Sequence, residues 1–559
     1  MFFVIAGIIF LVGLKSPFIG DDFPQIVDNP QVHSLAHIPE LFREGTFADI
    51  PGQAEQNSGG YRPLMMTAFS LLYSVFGAQP VVFHVFMLLI AVLNAFLLFL
   101  VFRYCMPQVL ALGLALIFLA HPLNSQMVFS IPVTQDALFF LFGILGFWTI
   151  LRFQDKSVWY LALSAALLLL SLLSKETGIL FVIMALVYTC IATRKRFYVL
   201  LALSAVVLAV YIPLKLHAVG LGYSAGNAPI EGLALAQRLL HVPELVMFYI
   251  TRFAFPLDLA QAYYWTHSDI TLRHFVVPLI FDVSVLSVLA YAGHRIRHED
   301  MKLFVMYVFF ACWLLVGLGA HLHIVPLDMT ASETWFYFPM VGLLGMAGAA
   351  GVALIPRTYW VRCGYILTAV VCLLAVRTFV RGFDWQSQTR LAYSNIAVSK
   401  EDYISYNLIA NDFLRRGEYA QAKEYATQSV ALHPFGTNYN TLASAELYAG
   451  NYAAAQDGFI KAIRYGGDSL QVYQNLGLLY AVYDGDTDSA KAFYSTAVAK
   501  FPHDATLWFY AAVFANNQGY DTTAKQAISR AHTLGDTDQE AYVKIISGQP
   551  YTFTLGKVR

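Results

Sequence analysis

The chain is poor in charge. Asp, Glu, Lys and Arg make up 13% of its 559 residues, and the formal net charge is −1. Soluble domains carry about 25% charged residues, so a chain this bare cannot present a water-facing surface along its whole length. A balance near zero also removes the basic field that nucleic-acid binders rely on, which excludes a nucleic-acid partner. Cysteine is scarce too. Cys105, Cys190, Cys312, Cys363 and Cys372 all lie in apolar segments or at their ends, so neither a disulfide framework nor a zinc motif is expected. The first residues lack the basic region and small-residue cleavage site of a secretory leader. No Asn-X-Ser/Thr acceptor occurs anywhere in the chain, in weak agreement with a location outside the endoplasmic reticulum.

What the chain has instead is apolar surface: 58% hydrophobic residues and a mean hydropathy of +0.57. Apolar runs of about 18 or more residues read as transmembrane helices. After a first helix from Met1 to about Leu14, spans are expected near 83–102, 108–120, 134–151, 158–173, 177–193, 197–215, 274–292, 302–320, 335–355 and 361–379, or about eleven in all. The segment 241–255, interrupted by Arg252, reads as re-entrant or interfacial. Lys and Arg gather in the short loops at Arg103, Arg152 and Lys156, Arg194 to Arg196, Arg295 to Lys302, and Arg357 to Arg362, which marks that side as cytoplasmic. The N-terminus then lies inside, and residues beyond 400 lie outside.

Residues 400–559 have the composition of a soluble helical domain. Gly417, Gly450, Gly485 and Gly519 recur at a nearly constant interval, followed each time by Ala422, Ala455, Ala490 and Ala524, then Ser429, Ala462, Ala497 and Ala531. This is the period of about 34 residues of a tetratricopeptide array, in which Gly makes the tight turn and a small residue lets two helices approach. Such arrays form a groove suited to an extended peptide. The expected fold is therefore all-α: a polytopic membrane domain over 1–380, a linker over 381–402, about four repeats over 403–548 and a tail over 549–559. The first extracytoplasmic loop, 21–82, is long and includes a Gly/Gln-rich run over 51–60; long loops tend to be functional.

That loop opens with Gly20-Asp21-Asp22-Phe23-Pro24, two carboxylates where the first helix leaves the bilayer. A plain helix exit with an Asp cap would account for the pair alone. The expected outer face, however, also carries Arg62, His121, Lys175, Glu176, Arg252, His321, His323 and Glu333. Ionisable groups beside hydrocarbon are costly and mark pathways or sites. Acids and cations together suit sugar transfer from a lipid phosphate: a base takes the proton of an acceptor hydroxyl, and cations hold the departing phosphate.

The stretches GDDFPQIVDNPQV, YRPL, FHVFMLLIAVLN, AHPLNSQ, LLSKETG, IVPLDMTASETWFYFP and RGFDW, in this order, resemble the transmembrane and tetratricopeptide-repeat O-mannosyltransferases, the TMTC family, of the GT-C glycosyltransferase superfamily. The resemblance implies a GT-C membrane domain that transfers mannose from dolichyl- or polyprenyl-phosphate mannose to Ser or Thr of proteins, with inversion. It implies Asp21 as the catalytic acid/base, with Asp22 as second choice, and a donor site drawing on Arg62, His121, Lys175, Glu176, Arg252 and Glu333. The partners implied are the lipid donor, the bilayer and a protein or peptide acceptor engaged by the repeats. Two departures stand out. Where the family tends to Glu-Arg-Tyr, this chain has Glu333-Thr334-Trp335, so a cation is missing there, and the repeat array is short. Both point to a bacterial inner membrane, or to the endoplasmic reticulum if the source is eukaryotic. The sequence assigns no cofactor; a divalent metal is compatible, but no ligand cluster supports one and His321 and His323 lack a third ligand. The alternative is a non-catalytic, membrane-anchored repeat scaffold.

Overall fold

A computed structural model of the chain describes residues 1–46, 60–153, 159–220, 228–267, 269–467, 469–483 and 487–551. Most of the Gly/Gln-rich run, Lys156, Gly485 and the tail beyond 551 lie outside the described residues. Two compact units result, Met1–Lys400 and Glu401–Arg559.

The first unit is a multi-pass helical body. Among the described residues, seven helices are long and apolar enough to cross a membrane: Pro80–Cys105, Ile131–Phe153, Arg194–Val219, Leu272–Glu299, Met301–Gly319, Glu333–Leu354 and Arg357–Gln386. Gln108–Ala120 and Pro122–Phe129, bent by 56°, make an eighth if counted as one span. Pro63–Phe76, Trp159–Ser174 and Glu176–Ala192 are apolar but shorter. The all-α, membrane-spanning expectation holds; among the described residues seven or eight helices reach full span length, beside the three shorter apolar ones. The expected first span is also short. Its α-helix covers only Phe2–Phe10, about 14 Å at 1.5 Å per residue, before a single tighter turn over Gly13–Lys15. Gly13 is pressed against the Phe129 ring, where a Cβ would come within 2.1 Å, and Pro17 cannot continue a helix. Val242–Ala254 is a helix of 13 residues carrying Glu244 and Arg252; it does not figure among the candidate crossings.

Without water to drive association, helices in a bilayer pack through small residues and buried polar contacts. Gly342 and Gly345 do this here. A Cβ on Gly342 would meet Leu314 N at 2.4 Å, and one on Gly345 would meet the Phe310 ring at 2.2 Å. Helices Met301–Gly319 and Tyr337–Leu354 can therefore lie close together. Trp313 fills the junction between Phe147, Phe181 and Phe338 and donates Nε1–H to Phe338 O at 3.1 Å. A two-stranded antiparallel sheet, Ala262–Tyr263 against Ala331–Ser332, ties two loops together. Thr330 reinforces it, donating its N–H to Tyr263 O at 2.8 Å and its hydroxyl to Trp265 O at 2.7 Å.

Residues 381–402, expected as a linker, are largely part of this unit. Arg381 and Trp385 are fully buried, Gln388–Val398 is helical, and Asn395 Oδ1 accepts from Gln261 N–H at 3.0 Å. The boundary between the two units falls after Lys400.

The second unit is a run of helical hairpins: Tyr403–Arg415 with Tyr419–Leu432, Gly436–Tyr448 with Tyr452–Arg464, Leu470–Val482 with Thr487–Lys500, and Ala505–Asn517 with Asp521–Thr533, then Gln539–Ile546. Gly417, Gly450 and Gly519 have φ of 76°, 83° and 73° at the first, second and fourth turns, a conformation that glycine adopts without steric cost. Ala422, Ala455, Ala490 and Ala524 are buried where paired helices meet, as are Ser429, Ala462, Ala497 and Ala531. Asp402, Asp504 and Asp538 cap helices by accepting from the N–H groups of Ser405, Leu507 and Ala541, satisfying donors that a helix start leaves open.

Candidate functional site

The Asp pair divides its labour. Gly20, at φ +54°, reverses the chain, and the two following carboxyls part. Asp22 turns inward and accepts from Ile19 N–H at 2.8 Å. Burial pushes its carboxyl up to about 7, with the Ile19 N–H opposing and the Asp21 charge adding to the rise. Asp22 thus shapes the loop. Asp21 is exposed at the surface, yet the bulk of protein around it raises its carboxyl above the ordinary range; the Arg62 charge opposes this and the Asp328 charge adds to it. Water reaches Asp21 while the protein around it acts on its charge.

Arg62 immediately precedes helix Pro63–Phe76. Its Nε is buried with no hydrogen-bond partner among the described residues, and its charge acts on Asp21, Glu176 and Asp328. Lys175 lies in extended backbone between Trp159–Ser174 and the short turn Glu176–Gly178. Its Nζ is 2.7 Å from Asp136 Oδ1, so its ion partner is Asp136 rather than the adjacent Glu176. The Lys175 charge also reaches Asp328, Glu176 and His321, and Lys215 acts on Glu176. Four separate stretches of chain thus bring Asp21, Arg62, Lys175, Glu176 and Asp328 into one electrostatic neighbourhood.

Asp328 is the member that the sequence reading passed over. Like Asp21 it is exposed, and its carboxyl is raised, chiefly by the surrounding protein, with Lys175 and Arg62 opposing and Glu176 adding. It belongs to the IVPLDMTASETW stretch, where Glu333, nearer the helix, drew the attention. The available signal was an acid in a loop on the expected outer face.

Glu333 lies in a different group. It is fully buried against Arg381, also fully buried, at 3.5 Å. Gln126 Nε2 donates to Glu333 at 3.2 Å and Tyr263 OH at 3.5 Å, while Arg381 donates to Leu259 O at 2.8 Å. The cation missing beside Glu333 in the sequence is thus supplied from the RGFDW stretch. Arg252 belongs on this side: it is 3.6 Å from Asp258, and its charge acts on Tyr263 and Glu333. His121 has both ring nitrogens engaged. Nε2–H donates to Phe253 O at 3.0 Å, and Nδ1 accepts from Leu123 N–H at 3.2 Å, which leaves neither free for a ligand in this conformation. His321 and His323 donate to the backbone carbonyls of Gly317 and Thr330, and His321 stacks on Trp335.

Residues 62–217, the stretch holding Arg62, Lys175 and Glu176, match the family described as dolichyl-phosphate-mannose-protein mannosyltransferase. The protein O-mannosyl-transferase TMTC3 of Homo sapiens is 20% identical over 537 residues, covering 87% of this chain and 58% of its own. TMTC1 of Homo sapiens is 31% identical over 196 residues, covering 31% of this chain and 21% of its own. The chain is similar to these TMTC proteins. It spans 58% of the length of TMTC3. Among solved structures, ArnT from Cupriavidus metallidurans bound to undecaprenyl phosphate shares 17% identity at a TM-score of 0.37, covering 82% of this chain and 79% of that one.

Proposed function

We propose that this TMTC-like chain is an inverting membrane glycosyltransferase that moves a sugar, mannose by its relatives' names, from a polyprenyl or dolichyl phosphate to Ser or Thr hydroxyls of proteins. The observation that carries the reading is the convergence of Asp21, Arg62, Lys175 and Asp328. In the step we envisage, the acceptor oxygen attacks the anomeric carbon as its proton passes to the Asp21 carboxylate. The bond from that carbon to the phosphate oxygen breaks, and the lipid phosphate leaves with the electron pair. A carboxylate whose proton affinity is raised is the better base near neutral pH. The buried Nε–H of Arg62 and the ammonium of Lys175 suit the developing phosphate charge. Asp328 shares the field and is a candidate to orient sugar hydroxyls. The hairpins of the second unit serve as the tetratricopeptide surface for acceptor or partner. The N-terminus is cytoplasmic, and the site and repeats are extracytoplasmic.

The test is transfer of radiolabelled polyprenyl-phosphate mannose to a Ser/Thr peptide by purified protein in detergent, with Asp21→Asn alongside. Label on the peptide with the parent and its loss with Asn support the reading. A parent that neither transfers nor binds the mannose, glucose or arabinose donors would overturn it in favour of a scaffold.

A further inference from the structure

A second constellation stands on other residues and does not depend on the transferase reading. Glu244 lies in the first turn of helix Val242–Ala254. His267 lies in the loop after strand Ala262–Tyr263, and His274 in the wide turn Leu272–Val276. His274 Nδ1 is 2.9 Å from Glu244 Oε1, and His267 Nε2 is 3.4 Å from Glu244 Oε2. All three ligand atoms lie within 4.8 Å of one another. A metal held at about 2.0–2.2 Å by each of three tetrahedral ligands sets those ligands about 3.3–3.6 Å apart, a spacing inside the 4.8 Å within which one ligand atom from each residue lies here. The side chains are 18%, 29% and 26% exposed, so an ion can reach them and keep a position open to water.

The surroundings hold this geometry in place. His241 Nε2 accepts the backbone N–H of His267 at 2.9 Å, and its Nδ1–H donates to Gln237 O at 2.9 Å. Thr271 Oγ1 accepts the N–H of His274 at 3.1 Å. The His267 and His274 rings face each other with centroids 3.7 Å apart. Two imidazole nitrogens and one carboxylate make a His2Glu donor set. Nitrogen donors favour borderline transition metals over Mg2+ or Ca2+, which want oxygen.

We propose that Glu244, His267 and His274 bind a divalent transition metal, Zn2+ foremost, which staples His267 and the wide turn Leu272–Val276 to the start of helix Val242–Ala254. The ligands are far apart in sequence and follow no spacing motif, so only the fold assembles them.

The experiment uses the full-length protein in detergent, stripped with a chelator and then titrated with Co2+ and Zn2+. Expected are visible absorption of tetrahedral Co2+, its displacement by Zn2+ but not Mg2+, and Zn2+ uptake near one per chain. Glu244→Gln, His267→Gln and His274→Ala should each weaken binding by more than about 10-fold, the lower end of what outer partners alone cost, while His503→Ala leaves it unchanged. Melting separates loss of the site from loss of the fold: stripped parent and Glu244→Gln should melt alike, and Zn2+ should stabilise only the parent. A parent that takes up no metal, or variants that bind Zn2+ as tightly as the parent, would overturn the proposal.

Discussion

The first unit contains two groups of opposed charges, built from the same residue types and put to different ends. Around Asp21, Arg62, Lys175 and Asp328 the acids are open to water and one guanidinium nitrogen lacks an acceptor among the described residues. Between Glu333 and Arg381 neither side chain is exposed, and Gln126, Tyr263 and the Leu259 carbonyl supply further bonds. A closed, mutually paired ion pair fastens parts of a fold, and removing one partner leaves a stranded charge. Perturbed, accessible and incompletely paired groups have capacity left for a ligand. Charge alone does not separate the two, and neither does a spare donor, since Arg62 and Arg381 each keep a buried Nε without an acceptor among the described residues; access does.

If the contrast holds, Asp21→Asn should lower transfer by roughly 10²–10⁴-fold, the range of a lost general base, with donor binding and melting temperature unchanged. Labelled transfer and a thermal melt read the two halves, and an unchanged rate would erase the distinction from the open side. On the closed side, Arg381→Met should cost about 3–5 kcal/mol by stranding Glu333, and adding Glu333→Gln should recover most of it. Unfolding in detergent tests this; a single variant as stable as the parent would make the pair no fastener.

Lys175 sharpens the contrast, because it is paired with Asp136 and, in the proposed reaction, would also meet the phosphate. Lys175→Met should raise the KM for the lipid donor by about 10-fold, or 1.4 kcal/mol, whereas Asp136→Asn, which frees the lysine, should lower it. Steady-state kinetics with varied donor distinguishes them; shifts of the same sign would show that the pair acts only in folding. The smallest effect belongs to Asp22. Its carboxyl rises from 3.8 to about 7 on folding, so folding favours its protonated form. The stability it contributes is complete below about pH 4 and is lost as pH climbs through about 7. Asp22→Asn keeps an acceptor for Ile19 N–H and carries no charge, so its melting temperature should fall less than the parent's between pH 4 and pH 8. Parallel melting curves would deny the inward role.

Much of this was legible in the sequence because the signals are local. Apolar runs gave the helices, the glycine and alanine period gave the hairpins, and Asp21, Arg62, Lys175 and Glu176 each stood at an interruption of an apolar run. What was not legible depends on pairing at a distance. Arg381 meets Glu333 across 48 residues, and the segment holding it looked like a polar linker because its partners are elsewhere. Asp328 and Glu333 are near neighbours in one loop, yet they serve different groups, since strand Ala331–Ser332 separates them. The short first helix was hidden for a related reason: hydropathy registers an apolar run but not the point where Phe129 packs against Gly13.

That short strand also carries a consequence for how the loop can vary. Side chains along a strand alternate between faces, so a slip of one residue turns each of them over. The pairing of Ala262 with Ser332 and of Tyr263 with Ala331 therefore acts as a ruler, laid between the acid on one side and the acid on the other. Deleting or adding a single residue between Asp328 and Ala331 would leave both carboxyls in the chain but deliver Asp328 to the wrong address. In this loop, spacing is a more exacting inheritance than side-chain identity.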